Sequence, residues 1–262
     1  MNKNIYLTPQ EQQILGAILP SEIADVGDIY ASFPNFKKRQ INKICFSLSS
    51  KGYLHRLRKG LYLVQEKPSE KPAIKNPHTI ALAMFKGYMG FSSALRIYNL
   101  LEYEPFTIFV VTQNKSGSRI LGEYTFRAVA MGKKAVGMTF YSGIYISTLS
   151  KTFFDCFYKP QYAGGYSVIT KALNETNLDW MEFMRYFELA SSSMCQRTGY
   201  VLDAFGKETG KVPEYILDFL RKRIKNNTKL LPSGKSKGKY SREWMVMDNL
   251  GRENILSWWY HG

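Results

Sequence analysis

An α+β fold in two parts is predicted by the order of the periodic segments. Helical spacings and a short basic hairpin fill the first 64 residues, strand patterns begin at Thr107, and the chain from Lys151 onward is helical again. Pro68, Pro72 and Pro77 stand among Lys and Glu between Gln65 and Pro77, the composition of a semi-stiff connection. The expected units are therefore 1–64, a linker over 65–77, and a larger α+β unit over 78–262 with a small central sheet and a helical C-terminal part.

In the first part, Thr8-Pro9 reads as an N-cap and first helical position, and Ile14, Leu15, Ile18 and Leu19 follow at helical spacing until Pro20 ends the run. A second short helix covers Val26 to Ser32. The Phe33-Pro34-Asn35 turn leads to a third helix expected to start near Phe36, with Asn35 as its cap. Its Ile41, Ile44, Cys45 and Leu48 fall at i, i+3, i+4 and i+7, one face turned toward the first two helices, which leaves Arg39, Asn42, Lys43 and Ser47 on the other. Lys51 to Val64 then alternates imperfectly, with a tight turn at Lys59-Gly60 and a return strand from Leu61. Helix, turn, helix, basic hairpin is the order of a winged helix-turn-helix.

In the second part, helices are expected over Thr79–Lys86 and Ser92–Leu101, followed by a fully buried strand at Thr107–Thr112, whose Ile-Phe-Val-Val run is unbroken. Tyr124–Met131 and Val136–Ser142 read as a hairpin around Gly132-Lys133-Lys134, with a further strand at Tyr145–Thr148. Helices are then expected over Lys151–Tyr158, Tyr166–Asn174, Leu178–Leu189, Met194–Phe205 and Pro213–Ile224.

The net charge of +15 is concentrated in two places. Residues 37 to 59 carry eight Lys or Arg and no acid, and residues 207 to 242 carry eleven against Glu208, Glu214 and Asp218. Two basic segments on a nearly neutral body point to a polyanion partner. No run approaches 18 apolar residues and neither basic segment carries an amphipathic stripe with Trp or Leu anchors, so a membrane partner is not expected. Cys45, Cys156 and Cys195 lack CxxC spacing and cannot all pair, and the first twenty residues lack the basic start and apolar middle of a signal peptide, so a reducing cytoplasm is expected.

The residues that carry chemistry are dispersed. Gly234-Lys235-Ser236 would need its first phosphate-loop glycine at Lys229 and is rejected as such a loop. His55, His78 and His261 stand far apart, no Asp-x-Asp strand is present, and no Asp is followed by Glu-x-Lys on paired strands. The expectation is a protein without catalytic site, metal or cofactor, with a divergent nuclease as the enzymatic alternative. The Gly- and Ser-rich stretch from Lys229 to Arg242 reads as a mobile loop that is either solvated or a second phosphate contact.

Winged helices also serve as protein-binding modules and a charged helix face is often merely solvated, but eight cations without an acid across helix and hairpin favour double-stranded DNA as the partner. The third helix then enters the major groove with Arg39, Gln40, Asn42 and Lys43 at base edges, Lys37 and Lys38 at its start, and Arg56, Arg58 and Lys59 of the wing along phosphates.

Four segments add a family resemblance: Gly52–Leu63, Phe91–Leu100, Ser150–Pro160 followed by Gly164-Gly165, and Gln196-Arg197-Thr198-Gly199-Tyr200-Val201-Leu202. In this order they resemble AbiEi-type antitoxins of type IV toxin-antitoxin, or abortive-infection, systems of phage defence. Thr198 stands where that family often has Leu. The resemblance implies an N-terminal domain that represses transcription of its own operon and a C-terminal domain that counteracts a nucleotidyltransferase toxin without a stable complex. It also marks Asp155, Arg197 and Tyr200 as candidate functional positions, each with a packing or pairing role as the alternative. A stand-alone winged-helix regulator without a toxin is the remaining reading.

Overall fold

The computed structural model describes residues 6–235 and 237–261. The chain forms two compact units, Met1–Lys86 with Ser118–Phe126, and Gly87–Gly117 with Arg127–Gly262. The fold is α+β.

The first unit begins with α1 (Pro9–Ile18), whose Thr8 hydroxyl accepts from the Glu11 amide while the Glu11 carboxylate accepts from the Thr8 amide, a reciprocal cap. A strand too short to announce itself, β1 (Ile23–Asp25), precedes α2 (Val26–Ser32), which Asp25 caps through the Gly27 amide. The third helix, α3 (Lys38–Ser50), starts two residues later than its pattern suggests, with Lys37 and not Asn35 at its cap position. Phe33 and Phe36 meet edge-on at 5.8 Å, and the Phe36 amide bonds the Phe33 carbonyl, so the turn persists through Phe36. Strands β2 (Leu54–Arg58) and β3 (Leu61–Val64) join β1 in an antiparallel sheet of order β1-β3-β2. Gly60 turns the hairpin at φ +75°. The core is the pattern read from sequence: Ile14, Leu15 and Ile18 of α1 against Ile41, Ile44, Cys45 and Leu48 of α3.

The segment 65–77 is folded onto this unit. The Gln65 side chain is buried and exchanges two hydrogen bonds with the Ala73 backbone, and Glu22 accepts from the Lys75 and Asn76 amides. Helix α4 (Pro77–Met84) also belongs here.

Continuing along the chain, β4 (Tyr88–Met89), α5 (Phe91–Ile97), β5 (Thr107–Thr112), β6 (Gly117–Leu121), β7 (Tyr124–Ala130), β8 (Met138–Tyr141) and β9 (Ile144–Ser147) supply a six-stranded sheet of order β6-β7-β5-β4-β9-β8. The expected pairing of Tyr124–Met131 with Val136–Ser142 is therefore corrected: β7 lies beside β5, and β8 pairs with β9. Ser142 and Gly143 both have positive φ, which a two-residue hairpin of the primed type requires. Gly132–Lys134 is a 3-10 turn whose flanking amides, on Met131 and Gly132, bond the Thr112 and Gln113 carbonyls of the neighbouring β5 end.

The helical part comprises α6 (Leu149–Tyr158), α7 (Tyr166–Asn174), α8 (Trp180–Tyr186), α9 (Ser192–Thr209) and α10 (Glu214–Arg221). The stretch read as a loop over 229–242 is partly a sheet: β10 (Thr228–Lys229) and β11 (Lys239–Ser241) flank β12 (Val246–Asp248), and α11 (Arg252–Ile255) and α12 (Ser257–His261) follow. Ser236 lies outside the described residues. Two-residue β10 and three-residue β11 are set by pairing with β12 and not by local propensity. Among the described residues no helix is long and apolar enough to cross a membrane.

Trp244, fully buried, packs its ring against α9 at Gly199, where a Cβ would stand 1.9 Å from the ring. Neither the helix backbone nor the indole can yield by that distance. Gly199→Ala should therefore cost on the order of 3 kcal/mol or more in urea unfolding. A loss below roughly 1 kcal/mol would mean that the Trp244 contact is not tight.

Candidate nucleic-acid interface

The buried face of α3 dictates its exposed one. With Ile41, Cys45 and Leu48 at 0% exposure, the helix can present only the residues between them, and Lys37, Lys38, Arg39, Asn42 and Lys43 are all exposed. Arg39 and Lys43 carry no hydrogen bond or ion pair among the described residues. Asn42 accepts from the Tyr30 hydroxyl at 2.7 Å, and the Lys38 ammonium lies 5.5 Å from the centre of the same ring. Gln40 is half-buried and donates to Gln10 at 3.1 Å, so its amide is engaged with α1. Phe46, 74% exposed one turn beyond Asn42 and Lys43, extends this face with an aromatic ring that the cation pattern did not single out.

The β2–β3 hairpin places its cations by an irregularity. The β2–β3 register shifts between Arg56 and Arg58, Leu57 is buried, and both arginines and Lys59 are exposed. Arg58 Nε donates to the Ala83 carbonyl at 2.9 Å, which anchors its guanidinium to the end of α4. Arg119 is a residue that sequence reasoning missed. Its guanidinium donates to the carbonyls of Arg56 and Leu57, so it brings a further cation to β2 of the hairpin. No local pattern could reveal it, because the contact spans more than sixty residues. The two sets of predicted residues stand on elements packed directly on each other, α3 and β2.

Lys51, counted among the acid-free cations in the sequence, is not free. Its ammonium bonds both Glu11 oxygens at 2.8 and 2.6 Å, and Ser47 donates to the same carboxylate at 2.5 Å. Glu11 is 3% exposed. Burial alone would raise its carboxyl, but the bonds from Lys51, Ser47 and the Thr8 amide outweigh that and hold it down at about 2.

In the second unit, Asp155 and Lys151 form a fully buried pair one turn apart on α6. Burial pushes the Asp155 carboxyl up to about 6 against the pull of Lys151, and the same burial lowers the Lys151 ammonium. Asp155 Oδ2 has no hydrogen-bond partner. Arg197, half-buried on α9, donates through Nε to the Lys229 carbonyl at 2.8 Å and through Nη2 to Thr228 Oγ1 at 3.0 Å. Tyr200 donates its hydroxyl to Asp248 Oδ2 at 2.8 Å. Arg197 and Tyr200 thus tie α9 to the small C-terminal sheet, whereas Asp155 sits elsewhere, inside α6. The three cysteines are buried free thiols. Among the described residues no group of three or more His, Cys, Asp or Glu is placed to hold a metal ion.

No protein-family model matches the chain, and no curated protein matches it. Among solved structures it is similar to the Rv2827c protein from Mycobacterium tuberculosis, at 14% identity and a TM-score of 0.70, over 97% of this chain and 96% of that one. At that identity the likeness is one of fold.

Two predictions follow from the buried carboxylates. The folded Glu11 value lies below the ordinary 4.5, so its contribution is present above that pH and is lost as pH falls from about 4.5 toward 2. Glu11→Gln should remove up to about 3 kcal/mol at pH 7 and flatten stability across that acid window, measured by urea unfolding at a series of pH values. An unchanged acid slope in the variant would show that Glu11 is not the group responsible. For the pair on α6, Asp155→Asn or Lys151→Met alone should cost about 3–5 kcal/mol, and the double replacement Lys151→Met with Asp155→Leu much less. Single variants as stable as the parent would remove the pair from the energetics of this unit.

Proposed function

We propose that the protein is a DNA-binding transcriptional regulator whose first unit is a winged helix-turn-helix. The observation that carries this reading is the exposed, acid-free face of α3, with Arg39 and Lys43 unpaired, next to a wing that exposes Arg56, Arg58 and Lys59. The element order α1-β1-α2-α3-β2-β3 with an antiparallel β1-β3-β2 sheet supports it, being the order in which a recognition helix precedes a hairpin wing. In this reading Arg39 and Lys43 read base edges in the major groove. Gln40 and Asn42 act beside them once released from Gln10 and Tyr30, and Lys37 and Lys38 meet the backbone at the helix start. Arg56 and Lys59 lie along phosphates with Arg58, which Ala83 orients.

The second unit is proposed to be the antitoxin part of an AbiEi-type system, counteracting a nucleotidyltransferase toxin without a stable complex while the first unit represses the operon. This rests on the four segments that resemble that family. No enzymatic activity is proposed for either unit. A cytoplasmic location fits a regulator of transcription.

Duplex carrying the chain's own promoter should bind with an affinity that falls steeply with salt, and Arg39→Ala should weaken its preference for that sequence by about 1–3 kcal/mol. Arg56→Ala should instead weaken specific and nonspecific duplex alike. Gel-shift titrations at several salt concentrations separate these outcomes; equal loss of preference in both variants, or an affinity indifferent to salt, would overturn the assignment. Co-expression with the neighbouring reading frame tests the antitoxin part, where growth arrest by that frame and rescue by this chain are expected.

A further inference from the structure

A cavity of about 810 Å³ opens in the second unit between the end of α6, the start of α7, Arg197 of α9 and the turns that follow β10 and β12. Its size is that of a site for a small organic ligand. Two cations line it, Lys159 and Arg197, and no lining residue is an acid. Arg197 is the informative one. Two of its five N–H donors are spent, on the Lys229 carbonyl and Thr228 Oγ1, and among the described residues no carboxylate pairs with it. The two bonds hold the guanidinium plane in place and leave donors for an outside acceptor, the arrangement in which arginine recognises phosphate in a bidentate way. Lys159 lies over the rings of Tyr158 and Tyr162, at 5.2 and 5.8 Å, and likewise has no acidic partner among the described residues.

The opposite wall is backbone. Gly165 precedes α7 with φ +95°, no side chain caps that helix, and a Cβ at Gly165 would meet nothing within 4 Å. Gly165, Tyr166 and Ser167 line the cavity at the start of α7, and that uncapped helix start adds partial positive charge to a site that Arg197 and Lys159 already define. The remaining lining is apolar or aromatic, with Phe157, Tyr166, Leu231 and Leu250 among it. A bare inorganic ion would leave this part of the cavity unused.

We propose that this cavity binds a nucleoside monophosphate, with the phosphate on Arg197 and Lys159 and the base and sugar against the apolar lining. The assignment is independent of the DNA-binding reading of the first unit.

The experiment is isothermal titration of the full chain at low salt with AMP and GMP, and with adenosine and sodium phosphate as controls. At least one monophosphate should bind with one-to-one stoichiometry, at least tenfold more tightly than adenosine or phosphate. Arg197→Gln should weaken it by about ten- to hundredfold, the loss of a charged hydrogen-bond pair. Because Arg197 also ties α9 to β10, Lys159→Gln is measured beside it, with melting curves for both, and should weaken binding several-fold at unchanged stability. Arg39→Ala with Lys43→Ala should leave the titration unchanged, which separates this site from the face of α3. Absence of binding, binding unaltered by Lys159→Gln, loss of binding in the α3 variant, or adenosine binding as tightly as AMP would each overturn the proposal. Sodium phosphate binding as tightly as AMP would overturn the nucleoside part of it.

Discussion

The first unit depends on one carboxylate. Glu11 closes the cap of α1 through the Thr8 amide and, with its other lone pairs, accepts from Ser47 and Lys51 at the far end of α3. Ser47 and Lys51 are four residues apart, so the bond touches a single stripe of α3 and resists rotation of the helix about its axis. A turn by one residue position would carry Arg39 and Lys43 toward the core and Ile41 and Ile44 toward water. The apolar stripe opposes such a turn only through burial, which is non-directional; the Glu11 network adds direction. Because α3 has no side-chain cap of its own at Lys37, this tie at its other end matters more than a terminal bond usually would.

A related economy holds in the second unit. Gln196, 1% exposed on α9, donates from one amide nitrogen to the carbonyls of Asn226 and Trp244, and Arg197 and Tyr200 extend the same connection to β10 and β12. Short strands such as these have little stability alone, since a few ladder bonds do not offset the entropy of ordering them. Side chains from a long helix bonded to their backbone supply what the ladder lacks. Their spacing along α9 also aims Arg197 outward into a cavity, so one residue serves both the sheet and an open surface.

Periodicity made the first unit largely legible. The helix α1 and the buried face of α3 stood out because their apolar positions repeat at 3.6, and the hairpin because Lys59-Gly60 admits a tight turn. The exposed cations of α3 and of the β2–β3 hairpin were legible for the same reason, being what the buried positions leave over. What escaped is long-range. Whether Tyr124–Met131 pairs forward or backward depends on which edge bond forms at Gly132, and the Ser142-Gly143 turn that settles β8 against β9 sat inside an apolar run. Arg119 reaches the wing across more than sixty residues, and with it the 118–126 stretch joins a unit that sequence order ends far earlier. Asp155 looked like a lone acid because its partner Lys151, one turn away, reads in sequence as a surface cation.

Formal charge also misstates where the protein is electropositive. Two segments each sum to +8, yet they differ once pairing is known. In the second, Arg221 is held by Glu214, Asp218 and Glu243, Lys207 by Asp203, Lys211 donates to the Asn174 carbonyl, and Arg223 stacks on Phe219 at 3.6 Å. These four are engaged within the protein, whereas Lys222, Lys225, Lys235, Lys237, Lys239 and Arg242 of the same segment are exposed. In the first segment only Lys51 is paired with an acid. Counterion release rewards cations that are free before binding, so pairing, and not formal charge, decides what either segment could offer a polyanion. Equal formal charge thus conceals different local pairing: an ion-pair cluster around Arg221 in one segment, and the single Lys51–Glu11 pair in the other.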